Sequence, residues 1–158
     1  MHYKIHAIDV KNALKNYIWL LEDTTTQEVV VIDPTDADLV TAFCEQHQLE
    51  LKQIWLTHWH RDHTDGVQGL LAEQNLPVFG PRDELSKISF ISNPLQHNDH
   101  FHFNDLKVEI IATPGHTLGH IVYFIEEIDT LCSGDTLFAM GCGRLFEGSA
   151  EQMYHSLN

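Results

Sequence analysis

Positive charge is scarce in this sequence. Its 158 residues hold 9 Lys and Arg against 23 Asp and Glu, a formal net charge of -14. A surface of that sign repels phosphate backbones and anionic bilayers, which argues against nucleic acid and membrane as partners. Cysteine is sparse too: Cys44, Cys132 and Cys142, with no CxxC pair. So odd and scattered a set argues against a disulfide framework and for a reducing compartment. No apolar run approaches a membrane span. The opening Met1-His2-Tyr3-Lys4-Ile5-His6 lacks the apolar core of a secretory signal, so the expected location is cytoplasmic. What remains is ordinary globular composition, 43% hydrophobic and 20% charged, at a length that fits one domain.

Apolar patterning predicts strands mixed with helices, an α/β or α+β layered domain. Val29 to Ile32 reads as a buried strand stopped at Asp33-Pro34, with residues 16–21 as its hairpin partner across Thr24-Thr25-Thr26. Residues 36–48 read as a helix through Leu39, Val40, Phe43 and His47. Further strands are expected at 53–56, 77–79, 108–112, 121–125 and 130–132, with a polar loop over 57–66 and a short helix over 66–75. Ser149-Ala150-Glu151-Gln152 fits a capping box, so a last helix opens there. The sequence ends soon after, and a helix that short needs packing partners, so we expect a fragment of a longer protein.

Twelve histidines say little by number. Their spacing says more. In Thr57-His58-Trp59-His60-Arg61-Asp62-His63, side chains two apart on an extended segment point the same way, so His58 and His60 can reach one cation. Asp62 and His63 follow in the turn and can face a second. Imidazole and carboxylate suit zinc, iron or manganese. In Thr113-Pro114-Gly115-His116, the histidine again follows a strand and can add a third ligand to the first cation. In Cys132-Ser133-Gly134-Asp135-Thr136, the carboxylate of Asp135 sits at a strand end and can bridge two cations. His120 fits a supporting role better than a ligand role. His97, His100 and His102 also cluster, but His100 and His102 alternate with Phe101 and Phe103, as on a half-buried strand with a wet face. His2, His6, His47 and His155 are isolated and read as structural or solvated.

Together the three motifs resemble the metallo-β-lactamase superfamily. The stretch from Gly134 to Gly148, above all Gly141-Cys142-Gly143-Arg144-Leu145-Phe146-Glu147-Gly148, is similar to the signature of the glyoxalase II (hydroxyacylglutathione hydrolase) family. The resemblance implies an αββα sandwich with a binuclear site. It places His58, His60 and His116 on one metal, Asp62 and His63 on the other, and Asp135 between them. The metals implied are two divalent ions, with zinc expected and iron or manganese as alternatives. Arg144 and Phe146 would touch glutathione, and Asp62 and Asp135 would be the catalytic carboxylates. The activity implied is hydrolysis of the thioester in S-(2-hydroxyacyl)glutathione by a metal-bound hydroxide, a step in methylglyoxal detoxification. The family has one more histidine ligand and a C-terminal helical substrate domain, both absent here. Residues 1–158 are therefore expected to be the N-terminal part of the catalytic domain. The rival expectations are another superfamily reaction (lactonase, β-lactamase or persulfide dioxygenase) and a non-catalytic metal-binding fragment.

Overall fold

The computed structural model describes residues 2–138 and 141–158. Ala139 and Met140 of the glyoxalase-like stretch, like Met1, lie outside the described residues. Backbone contacts divide the chain into two units: the residues up to Leu56 with His60–Phe79, and Thr57–Trp59 with Gly80–Asn158.

The first unit contains β1 (Tyr3–Asp9), β2 (Tyr17–Asp23), β3 (Glu28–Ile32), α1 (Ala37–His47), β4 (Glu50–Trp55), α2 (Arg61–Thr64), α3 (Val67–Glu73) and the start of β5 (Val78–Pro81). The strands lie in the order β1-β2-β3-β4-β5. The first three form an antiparallel meander, and β3, β4 and β5 run parallel. Register explains the core. Leu20 lies opposite Val31, Val31 opposite Ile54, and Ile54 opposite Val78, so a row of buried aliphatic side chains crosses four strands. Full burial of each such side chain stabilises by about 1.5–3 kcal/mol.

Local chemistry sets the connections. Between β2 and β3, Asp23 accepts from the backbone and hydroxyl of Thr25, and Gln27 turns the chain at φ 60°. Helix α1 starts where the Asp36 carboxylate accepts from the Leu39 amide and stops where Gln48 adopts the left-handed conformation. Its buried residues are Val40 and Cys44, whereas Leu39 and Phe43 are half-buried and His47 is exposed. The apolar stripe is thus shifted from the expected one, because Phe43 sits at the helix edge against the rings of His6 and His47. The expected polar loop over 57–66 contains α2. Strand β1 escapes the sequence pattern because, as an edge strand, it pairs with β2 alone and keeps mostly polar or exposed residues.

The second unit contains β6 (Asn93–Leu95), β7 (His100–Phe103), β8 (Leu106–Ala112), β9 (Ile121–Ile125), β10 (Thr130–Cys132) and α4 (Ala150–Leu157). Strands β7 to β10 form an antiparallel meander in sheet order β10-β9-β8-β7. In β8, Leu106, Val108 and Ile110 are buried and alternate with Lys107 and Glu109. In β7, Phe103 is buried while His100 and His102 are exposed, the wet strand face anticipated for that cluster. The Ile121 amide donates to the Thr57 carbonyl at 3.0 Å, which fastens Thr57–Trp59 to this unit. Helix α4 opens on a complete Ser149–Gln152 capping box and is pinned by Ser156, whose hydroxyl donates to the Pro114 carbonyl. Among the described residues, no helix is long and apolar enough to cross a membrane.

Candidate metal centre

The second unit holds His58, in its segment Thr57–Trp59, with His116 and Asp135, which follow β8 and β10. Each offers one ligand atom, and the three atoms lie within 4.8 Å of one another. The Asp135 Oδ2 atom is 3.0 Å from His116 Nε2 and 3.8 Å from His58 Nε2. The two imidazoles stand nearly perpendicular, with ring centroids 5.0 Å apart. Both rings are buried: His58 is 0% and His116 4% exposed.

The far nitrogen of each ring is held. His116 Nδ1 donates to the Arg144 carbonyl, and His58 Nδ1 pairs with the Thr57 hydroxyl at 2.8 Å. His120 is fully buried, stacked on His58 with centroids 4.6 Å apart. Its Nε2 accepts from the Asp135 amide, and its Nδ1 faces the Thr113 and Thr136 hydroxyls. With both nitrogens engaged, His120 orients Asp135 and backs His58 rather than binding a cation itself.

Two glycines show how closely these segments meet. At Gly134, φ is +52°, and a Cβ would lie 2.5 Å from Thr57 Oγ1 and 2.8 Å from His120 Nε2. At Gly143, a Cβ would fall 1.8 Å from the Asp135 carbonyl oxygen. Any side chain at either place would push the Asp135 segment away.

In the first unit, α2 carries Asp62 and His63 on one turn, with Asp62 Oδ2 3.3 Å from His63 Nε2. Asn16 donates to Asp62 Oδ2 at 3.1 Å. His63 Nδ1 donates to Asp33 Oδ2 at 2.9 Å, and both side chains are buried. His60 directly precedes α2 and is half-buried; its carbonyl accepts from the His63 amide.

The donor chemistry can be read from these bonds. A carbonyl and a carboxylate only accept, so the Nδ1 atoms of His116 and His63 carry protons. Their Nε2 atoms, which present lone pairs when the ring is neutral, face the carboxylate oxygens of Asp135 and Asp62. Acceptor against acceptor at this range is repulsive unless positive charge lies between, supplied by a second ring proton or by a metal cation. Imidazole nitrogens with a carboxylate oxygen, each imidazole backed by an acceptor on its other nitrogen, match the ligand shells of divalent metals. The residues therefore fit divalent metal binding.

Arg144 and Phe146 are exposed in the second unit. The Arg144 guanidinium carbon lies 5.5 Å from the Phe146 ring centroid, and the Phe146 ring lies 5.3 Å from that of His116. The Arg144 backbone supports a candidate ligand while its side chain reaches outward. Sequence reasoning missed Asp33, Thr57, Asn16 and Glu84. Asp33 had a signal, an Asp-Pro at the end of an apolar strand, but that pattern also marks a plain turn. Glu84 had none. It is a buried carboxylate in a short turn after β5, and desolvation pushes it above the ordinary carboxylate range.

The sequence pattern of the metallo-β-lactamase superfamily matches residues 12–158. The chain belongs to that superfamily. It is 45% identical over 146 residues to the hydroxyacylglutathione hydrolase of Shewanella halifaxensis, covering 90% of this chain and 55% of that protein. It is also 45% identical over 150 residues to the hydroxyacylglutathione hydrolase of Pseudoalteromonas translucida, covering 94% and 57%. The chain thus spans little more than half the length of these relatives. Among solved structures, the BLEG-1 B3 metallo-β-lactamase superposes with a TM-score of 0.86 at 23% identity, over 98% of this chain and 83% of that one, a likeness of fold.

Proposed function

We propose that residues 1–158 form the metal-binding part of a hydrolase that cleaves the thioester of S-(2-hydroxyacyl)glutathione, S-lactoylglutathione in the first place, as in cytoplasmic methylglyoxal detoxification. One observation carries the reading: in each unit a histidine with its Nδ1 anchored on an acceptor turns its Nε2 toward a carboxylate. The glyoxalase-like stretch around Arg144 and the names of the 45% identical relatives support a glutathione thioester as the substrate.

In this reading, His58, His60 and His116 hold one divalent ion, Asp62 and His63 hold a second, and Asp135 serves both. Zinc is the expected metal, with iron or manganese as alternatives. When bound, two such cations lower the pKa of water to about 7 and polarise the substrate carbonyl. The chain's own groups do the rest. Asp62, steadied by Asn16, accepts the proton of the attacking water, and Asp135 keeps its carboxylate aimed through the His120 contact to its amide. Arg144 offers a planar fork to a carboxylate of the glutathione moiety, and Phe146 packs beside it. The leaving thiol has an ordinary pKa near 8.5, so it departs as thiolate with little acid assistance and no Ser or Cys nucleophile is needed. In this reading, a substrate domain that completes the glutathione pocket lies in the part of the protein corresponding to the additional length of the relatives.

The test is hydrolysis of S-lactoylglutathione beside a β-lactam, a lactone and a glutathione persulfide, by this chain and by a form extended to the length of its relatives. The reading predicts thioester turnover that chelation abolishes, stronger in the extended form. Preference for another of the substrates would replace it with a different superfamily reaction. Metal binding without turnover in either form would leave a binding domain.

A further inference from the structure

Glu84 is 2% exposed, and nothing in the proposed chemistry uses it. A carboxylate so deeply buried is costly unless hydrogen bonds satisfy it. Here three do. Oε1 accepts from the Trp59 amide at 2.7 Å, and Oε2 accepts from the Thr117 hydroxyl at 2.7 Å and the Gly119 amide at 2.9 Å. Trp59 follows His58 and Thr117 follows His116 in the chain. One rigid side chain therefore ties together two segments that each carry a candidate ligand.

Glu147 repeats the arrangement nearer the surface. Its Oε1 accepts from the Leu118 amide at 3.0 Å, and its Oε2 accepts from Trp59 Nε1 and Lys87 Nζ, both at 2.8 Å. Both N–H groups of Trp59, the hydroxyl of Thr117 and the amides of Leu118 and Gly119 all end on these two carboxylates. The fit leaves no slack: a Cβ on Gly119 would lie 2.5 Å from Glu84 Cγ and 2.8 Å from Oε2. A buried charge contributes little to stability compared with apolar packing, but its directional bonds define geometry.

We infer that Glu84, backed by Glu147, is a positioning residue that sets the separation and ring orientation of His58 and His116, and thereby the affinity of the His58–His116–Asp135 trio for a divalent cation. This rests on the reading of that trio as metal ligands. Groups that orient metal ligands typically change affinity 10–100-fold when altered.

The experiment is cobalt(II) titration of the full chain, reading affinity by chelator competition and geometry by the visible absorption spectrum. The melting temperature of each metal-free protein is recorded alongside. Glu84→Gln keeps the size but, whichever way the amide turns, sets an NH2 group against a backbone N–H, that of Trp59 or that of Gly119. Gly119→Ala keeps the carboxylate and displaces it. Glu147→Gln weakens the outer brace. The expected result is cobalt affinity lowered by about 10–100-fold in Glu84→Gln and Gly119→Ala, with an altered cobalt spectrum, and a smaller change of the same kind in Glu147→Gln. Unchanged affinity and superimposable spectra in Glu84→Gln would overturn the positioning role while leaving the metal reading intact. Should that variant fail to fold, Gly119→Ala is judged by the same criterion. An unsubstituted chain that takes up no cobalt would overturn both.

Discussion

In the first unit, Asp62 and His63 are neighbours on one turn of α2, and His63 is oriented by Asp33, just past the end of β3. In the second unit, His58, His116 and Asp135 come from three segments far apart in sequence. Their geometry is maintained by Thr57, Glu84, His120, the Arg144 carbonyl and Glu147. The Asp62–His63 pair is a local motif on a short helix. The His58–His116–Asp135 trio exists only once the antiparallel meander and the strand ends that carry it are in place. Ligand geometry in the second unit should therefore answer to many residues, and in the first to few.

The largest effect expected is on the second unit. His116→Ala removes one proposed ligand of the trio, so zinc affinity there should fall by more than the roughly 100-fold that loss of a supporting group can cause, and thioester hydrolysis should fall with it. Metal analysis after gel filtration is the check. Full zinc retention would show that the trio is not a binding set.

Asp33→Asn should act next most strongly and elsewhere. It keeps the shape but removes the charge behind His63, so we expect about 10-fold weaker metal binding at the Asp62–His63 half with the trio unaffected. Equal loss at both halves, read by competition with a graded series of chelators, would break the contrast between the two units.

Arg144→Ala separates backbone from side chain. The carbonyl that supports His116 remains, while the guanidinium is lost. The expected outcome in steady-state kinetics is KM for S-lactoylglutathione raised about 10-fold, the worth of one charge-assisted contact, with kcat changed far less. An unchanged KM would remove Arg144 from the substrate pocket.

Smallest is the contrast between two thiols. Burial pushes the Cys44 thiol in α1 up to about 11, so at pH 8 its thiolate is a minor species. Cys142 in the second unit is exposed. An alkylating reagent at pH 8, followed by peptide mass analysis, should label Cys142 and spare Cys44, with Cys44 reacting as the pH nears 11 or when the protein unfolds. Rapid labelling of both at pH 8 would mean that the first unit opens readily.

The same contrast explains what was legible in the sequence. Alternation and apolar runs located β2 to β5, β8 and β9, because those strands bury Leu20, Val31, Ile54, Val108 and their like, and β10 showed as the short run Thr130–Cys132 although it buries no side chain. The Ser149 capping box marked α4 from chemistry that acts within three residues, and the spacing of Leu39, Val40, Phe43 and His47 marked α1, whose Asp36 cap went unread. Strand β1 left no clear trace, since an edge strand with His6 paired to Glu22 has no uniform apolar face. The candidate ligands were visible because histidines and aspartates crowd a few short strand-end segments. Of their supports, only His120 was. Glu84 bonds to Trp59 and Thr117 across long stretches of chain, and nothing near it in sequence distinguishes it from a surface glutamate.

The central claim is that these residues hold two divalent ions and that both are needed for thioester hydrolysis. Stepwise zinc titration of the metal-stripped chain, with S-lactoylglutathione turnover and bound zinc measured on each sample, tests it most directly. The account predicts binding that saturates at two equivalents, with turnover rising chiefly as the second is filled. Saturation at one equivalent or fewer, or turnover that is the same in the stripped protein, would contradict it.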